Sequence, residues 1–434
     1  MHAVPFHRRI FPWIIAIAFI AMAPAVVFYT SGYRYDSKRG KVERYGTIII
    51  DSQPSGAKLR IDGRSTNKLT PITIQDMAPG SHSIELQLDG YFDWKKKLDI
   101  TPERVTFVDH VQLWSKNQPN FLFQTPDTGF FSSPKGSRIL LTNASGTAQA
   151  LQFTNIPSFR LSSTTPLSAS IPLDSFVHWS DDDRYALVES SSGTTDLIDA
   201  TNVTKSLQLP EGNYRWDGKM VVGTNENSLV NITRNGTLSR NPLLQNQVDV
   251  LDDVVLQEIE NHSSFILTAQ DQPGKGYVLP KGNWRFWQKH GDILILRDGS
   301  RWLSLNRVSG SESYHSSEAT GKTLQILNQK KNDLALLVTE NELWLWDFLT
   351  PPELLYRQSN SLVDAFWHTS GNYIFIATHT TLSVIELDPR DGRIWTDLAK
   401  FDQINGISYY NNQVLILGEN EGKRGLWNLK VTSS

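Results

Sequence analysis

The chain has 434 residues, with 42 lysines and arginines against 45 aspartates and glutamates, and no cysteine. A formal net charge of −3 argues against a dedicated nucleic-acid binder, which is usually basic. The lack of cysteine excludes disulfide staples and Cys-ligated zinc or iron–sulfur sites, and the length leaves room for two or three domains.

Between Arg9 and Arg34 no charged residue occurs. Ile10 to Tyr29 supplies the roughly 20 apolar residues that a helix needs to cross a bilayer core. Pro24 is tolerable in a spanning helix, and Trp13, Tyr29 and Tyr33 stand where aromatic rings favour the headgroup zone. We therefore expect a short tail, 1–9, and a transmembrane helix over 10–33. The alternative is a cleaved signal peptide, for which Ala21-Met22-Ala23 offers a small-x-small site. Signal cores usually run about 7–15 residues, shorter than this one. The flanking charges oppose export of the body: Arg8 and Arg9 precede the segment, whereas Arg34, Lys38, Arg39, Lys41 and Arg44 follow it. Large domains can translocate despite such flanks. The expected arrangement is a single pass through the cell membrane with the C-terminal domains extracytoplasmic.

The next segment, 45–114, reads as a small β-sandwich. Thr47–Ile50 is one strand, and Ala57–Ile61 alternates apolar and polar as a half-buried strand should. Asp62-Gly63 turns the chain. Pro71–Ile74, Ser83–Leu88, Val105–Val108 and His110–Leu113 follow, with turns at Ala78-Pro79-Gly80 and Gly90-Tyr91. Such short strands with frequent turn signals indicate a sandwich. Lys95-Lys96-Lys97 reads as a solvated strand edge, or as a contact for anionic lipid or polymer beside the membrane.

Several pieces of this segment resemble the PEGA domain family: Gly46–Ile50, Gln53-Pro54-Ser55-Gly56-Ala57, Ile61-Asp62-Gly63, Thr70-Pro71, Ala78-Pro79-Gly80-Ser81-His82 and Asp89-Gly90-Tyr91. The namesake tetrapeptide is imperfect here, Ala78-Pro79-Gly80-Ser81. The resemblance implies a small β-module beside the membrane in a bacterial or archaeal surface protein, often next to repeat domains, and brings no active site with it. Pro54, Gly56, Gly63, Pro79 and Gly80 are expected to shape turns.

From 117 to 434 the chain repeats weakly. A large residue is followed by a polar turn and a branched apolar run, as in Phe131-Ser132-Ser133-Pro134-Lys135-Gly136, Trp179-Ser180-Asp181-Asp182-Asp183 and Trp367-His368-Thr369-Ser370-Gly371. Weaker copies start at Trp216, Leu251, Trp287, Leu327 and Tyr409. Spacings of 35 to 48 residues between these anchors fit a β-propeller, at roughly 40–45 residues per four-stranded blade. Eight anchors predict eight blades, or seven if the weak unit at Leu251 is an insertion. The repeats resemble the blades of TolB-type and WD-repeat propellers, although Trp346-Asp347 is the one Trp-Asp dipeptide at a plausible strand end. The tryptophans at 179, 216, 287 and 367 are expected to fill the gaps between blades.

Chemistry is sparse. Asp181-Asp182-Asp183 and Asp252-Asp253 read as solvated turns, without EF-hand spacing. The histidines at 178, 262, 290, 315, 368 and 379 lack zinc spacing; His178 and His368 stand at nearby positions of two units and read as structural. The Gly-x-Ser-x-Gly elbow is absent, and Gly321-Lys322-Thr323 lacks the upstream glycine of a phosphate loop. Inner-strand positions read as mostly small or apolar. The chain is thus expected to be all-β after its helix, with no catalytic residue, metal or organic cofactor. Its expected role is binding or scaffolding at the cell surface, toward a protein, peptide or cell-wall polysaccharide. The competing reading is a propeller hydrolase or lyase whose groups converge at the central channel.

Overall fold

The computed structural model describes every residue except 1–5, 31–32, 37–40, 144–146, 155–159, 172–174, 191–192, 202–205, 226–227, 234–235, 245, 253, 260–263, 270–275, 308–313, 328–333 and 433–434. One compact unit comprises 1–117, 386–394 and 432–434; the other comprises 118–385 and 395–431.

The helix runs Phe6–Thr30, starting four residues before the expected span and stopping three short of it. At about 1.5 Å per residue it reaches roughly 37 Å, more than the ~30 Å of a hydrocarbon core. Its last residue folds its hydroxyl back, donating to the carbonyls of Val26 (2.9 Å) and Val27 (3.1 Å). Tyr33 is not helical. It opens a hairpin, Tyr33–Asp36 paired with Lys41–Arg44, and its ring takes Phe28 edge-on and the Arg44 guanidinium at 4.5 Å.

The remainder of this unit is a two-sheet sandwich. Gly46–Gln53 is the centre of a three-stranded sheet, antiparallel to Ile72–Met77 and parallel to Val105–Gln112. The other sheet orders Arg64–Leu69, Lys58–Ile61, Gly80–Gln87 and Trp94–Ile100, all antiparallel. Period-two alternation sends Ile48, Ile50, Leu59, Ile84, Leu86, Trp94, Leu98 and Ile100 into one core. Asp62 and Gly63, both left-handed at φ 48° and 75°, make the tight hairpin turn that the sequence announces. The Asp62 carboxylate then accepts from Ser83 N–H (2.9 Å) and pairs with His82 (2.8 Å). Burial works against that carboxylate, but these contacts hold it below its usual range.

Two strands are unexpected. Arg64–Leu69 is a polar, mostly exposed edge with no apolar face to reveal it. Trp94–Ile100 hides behind its lysines, yet its pattern alternates strictly, with Trp94, Lys96, Leu98 and Ile100 inward. Lys96 is therefore neither a solvated edge nor a lipid contact: it is 1% exposed. Its ammonium lies 3.0 Å from Glu386 and 3.4 Å from Asp388, and donates to the Asp388 carbonyl at 2.8 Å. The segment Glu386–Ile394, which the repeat pattern assigns to the propeller, belongs to this first unit. Ile394 packs on its core, and Asp391 accepts from Lys97 N–H. Removing one member of a buried ion pair costs about 3–5 kcal/mol, whereas replacing both with apolar groups can be neutral. Lys96→Ala should accordingly expose Arg390 and Arg393 to trypsin and lower the melting temperature, while a Lys96→Met, Glu386→Leu pair should recover most of the loss. Equal cleavage in the parent and single variant would contradict this.

The second unit is a β-propeller of eight four-stranded antiparallel sheets among the described residues. Blades 1 to 8 begin with first strands Gly129–Ser132, Phe176–Trp179, Asn213–Asp217, Gln247–Leu251, Arg285–His290, Thr323–Leu327, Leu362–Trp367 and Gln403–Tyr410. Each of the eight sequence anchors falls in one of these strands. Seven blades are sequential meanders; the eighth takes its outermost strand, Asn120–Gln124, from the start of the unit and pairs it with Lys423–Lys430. Apolar residues fill the seams, for example Tyr185, Leu187 and Leu197 against Trp216, Val221 and Val230 between blades 2 and 3. Trp179, Trp216 and Trp367 are buried as expected.

The polar turns after the anchors share one geometry. Ser133, Ser180 and His368 N–H groups donate across to Arg138, Tyr185 and Tyr373, and Gly136, Asp183 and Gly371 N–H groups donate back to them. Those last three residues all have positive φ, 70°, 58° and 70°. At Gly136 a side chain would also meet the Tyr409 backbone of blade 8. Gly193 has a similar φ but open space around it. Gly136→Ala should lower the melting temperature clearly more than Gly193→Ala, which carries only the conformational cost of about 1–2 kcal/mol; calorimetry on the two variants checks this.

Candidate binding site on the first strands of the propeller

First strands pack against one another between blades 4 and 5, 6 and 7, 7 and 8, and 8 and 1, and also between the non-adjacent blades 3 and 5. Their composition corrects the expectation of small or apolar positions. Blades 2 to 7 place His178, Arg215, Asp249, Arg285, Gln325 and Asp364 on these strands.

Three contact groups organise this layer. In the first, Arg215 of blade 3 is 3% exposed and pairs with Asp249 of blade 4 at 2.7 Å, while also donating to the Val250 carbonyl. Asp249 sits just past a β-bulge at Val248. Its carboxylate also accepts from its neighbour Val250 N–H (2.8 Å) and from Phe286 N–H of blade 5 (3.2 Å). Three blades are thus tied through one carboxylate.

In the second, Trp287 of blade 5 sits at a bulge of its own and stacks on His178 of blade 2, centroids 3.8 Å apart. Phe176 meets the same indole edge-on at 5.1 Å. Arg297 stands 3.7 Å over the Phe176 ring and donates to Glu189 at 3.3 Å. Burial, then the nearby Arg297 charge, push the His178 imidazole down to about 3, so it is neutral. Burial lowers Arg297 as well, against the pull of Glu189. Trp287 is therefore only half-buried and joins non-adjacent blades, unlike the three seam tryptophans.

In the third, Gln325 of blade 6 donates to the Ala365 carbonyl of blade 7 at 2.7 Å. Asp364, just past a bulge at Val363, accepts from Ala365 N–H at 2.8 Å. Burial raises its carboxyl to about 7, with that one hydrogen bond opposing. No cation faces it among the described residues.

The other sequence candidates lie elsewhere. Asp183 is not solvated: at 1% exposure it accepts from the Ser133 and Ser137 hydroxyls of blade 1, both at 2.8 Å, pinning two turns together. Asp182 does cap its own turn, taking the Ser180 hydroxyl at 2.7 Å. Asp252 pairs with Lys289; Asp253 and His262 lie outside the described residues. His368 is in a turn rather than on the first strand beside His178. It is buried against Tyr409 and bonded to Ser370 at 2.8 Å, and burial takes it down to about 4. Asp347 accepts from Leu349 and Thr350 N–H and closes a turn beside buried Trp346. The sequence reading missed Arg215, Asp249, Gln325 and Asp364. The signal was there in Val248-Asp249-Val250 and Val363-Asp364-Ala365, an acidic residue set twice into an apolar run.

These meandering blades, preceded in the chain by a two-sheet module, define the class: a β-propeller protein with an N-terminal sandwich and an apolar helix. Residues 45–112 match the family model of the PEGA domain, so the sandwich is a PEGA domain. No curated protein sequence matches the chain. Among solved structures, BamB from Moraxella catarrhalis is similar at 11% identity and a TM-score of 0.41, over 73% of this chain and 98% of that one. The Cps50 (Swd1) β-propeller domain of Myceliophteria thermophila gives 10% identity and 0.40, over 73% and 99%. The RRP9 WD40 repeats give 10% and 0.41, over 72% and 97%.

The Asp364 carboxyl titrates higher in the folded chain, about 7, than the ordinary 3.8 of an unfolded aspartate. The folded state therefore holds the proton more tightly, and the stability this contributes is complete below pH 4 and lost as pH rises through 7. Asp364→Asn removes the linkage. The melting temperature of the parent, relative to that variant, should fall between pH 5 and pH 8 in thermal scans, and a constant difference would count against it.

Proposed function

We propose that this chain is a membrane-anchored binding or scaffold protein. The helix would hold it in the cell membrane, the PEGA domain would stand beside the bilayer, and the propeller would engage a protein or peptide outside the cytoplasm. The helix is long and apolar enough to span, although a signal sequence passes the same test. The PEGA match supports the extracytoplasmic side against the flanking charges.

The observation that carries the binding reading is the first-strand layer. Rings and guanidinium groups are the types that carry most of the energy at recognition sites; here Arg215 and His178 are engaged within the layer, and Trp287 and Asp364 are among its half-buried members. An acidic group raised to about 7, Asp364, favours the hydrolase or lyase reading. Yet no second titratable side chain hydrogen-bonds to it among the described residues, whereas acid–base chemistry needs a positioned partner.

Cross-linking of the full chain in native membranes, followed by protease treatment of intact cells, tests both halves. The expected outcome is a discrete cross-linked partner and a C-terminal body cut without lysis. A body protected until lysis would refute the topology, and turnover of a glycan or peptide panel by the purified chain would favour the enzyme.

A further inference from the structure

The two acidic first strands invite direct comparison. Arg215 and Gln325 are each the third residue of a five-residue first strand. Asp249 and Asp364 are each the third residue of the next blade's first strand, just past a bulge. In both pairs the earlier blade's side chain donates to the carbonyl of the residue after the aspartate, Val250 or Ala365. In both, the aspartate accepts from that same residue's N–H at 2.8 Å. The difference is one group. Arg215 reaches the carbonyl and the carboxylate together. Glutamine is shorter by a cationic end, so Gln325 reaches the carbonyl alone, and the second oxygen of Asp364 has no partner among the described residues. Asp364 is only half-buried, so part of it remains accessible.

We propose that Asp364 is a receptor for a guanidinium or ammonium group brought by the partner: an arginine or lysine side chain that completes at blades 6 and 7 what Arg215 completes at blades 3 and 4. This rests on the binding reading above and gives it a chemistry. A planar guanidinium suits the site best, because the Arg215 example engages a carboxylate and a carbonyl at once, the fork geometry that an ammonium lacks. The incoming cation meets a carboxylate in a poorly solvated position, where charge pairing is stronger than at an open surface. The aromatic groups on the first strands of blades 2 and 5, Phe176 and Trp287, are already engaged by Arg297 and His178, and Asp249 by Arg215; Asp364 is a half-buried first-strand carboxylate with no such cation among the described residues.

The probe is a pair of acetylated and amidated tripeptides, Gly-Arg-Gly and its citrulline counterpart, titrated calorimetrically into the full chain in lipid nanodiscs. Citrulline keeps the shape and removes the charge. The arginine peptide should bind at least about tenfold more tightly. Asp364→Asn should erase the preference. Gln325→Arg should erase it as well, by supplying the cation from within, and should raise the melting temperature instead of lowering it. Either variant alone keeps the test decisive if the other folds poorly. Equal binding of the two peptides, no binding at millimolar concentration, or a preference that survives in the folded variants would each overturn the proposal. Cross-linking in native membranes separates this from the broader reading. A partner captured equally by parent, Asp364→Asn and Gln325→Arg would leave the binding role intact and remove Asp364 from it.

Discussion

The propeller depends on the pairing of Asn120–Gln124 with Lys423–Lys430, which joins the two ends of the unit's chain in one sheet. Each blade has two apolar faces and cannot bury both without two neighbours. Stacked along a line, six of the eight blades would be satisfied; the first and last would not. Closure places Ile139 and Leu141 of blade 1 against Leu415, Leu417 and Leu426 of blade 8, all fully or almost fully buried. Without it those residues would form an exposed apolar strip on each end, the feature that promotes aggregation. The cost is loop-closure entropy across about three hundred residues, which grows only slowly with length.

Closure also explains where polar groups are allowed. Blade seams are filled by branched chains and tryptophans, and the first strands, which also carry bulky aromatics, add polar side chains between them. There the chain uses hydrogen-bonding side chains that reach from one blade to the next backbone. Buried charge here comes with a partner: Asp249 has Arg215 and two backbone N–H groups, and Lys96 in the PEGA unit has two acidic residues from a segment almost three hundred positions away. An unpaired buried ion would cost far more than the fold can offset. Asp364 shows the other resolution: burial holds its proton up to about pH 7.

Much of the architecture was legible from periodicity. The uncharged stretch before Arg34 became the helix, the alternation at Ala57–Ile61 became a strand, and all eight anchors landed on first strands. Even the weak copy at Leu251 is a blade. What escaped was whatever lacked an apolar signature. Arg64–Leu69 is an exposed edge, and Trp94–Ile100 was masked by three lysines although the positions between them alternate correctly. The acidic triplet at 181–183 looked solvated because the serines that bury Asp183 lie in another blade.

The sequence by itself determined the order of modules, the strand-rich character after the helix, the repeat length of the blades and most turns, because these follow from local period, composition and glycine placement; it left eight or seven blades open, and the structure has eight. Only the tertiary structure decided which charges are paired. Arg215 meets Asp249, Asp183 meets Ser133, and Lys96 meets Glu386 through separations of 34, 50 and 290 residues, distances over which no local pattern carries information. The same is true of Asp364, whose chemistry comes from a glutamine standing in the neighbouring blade where its counterpart has an arginine.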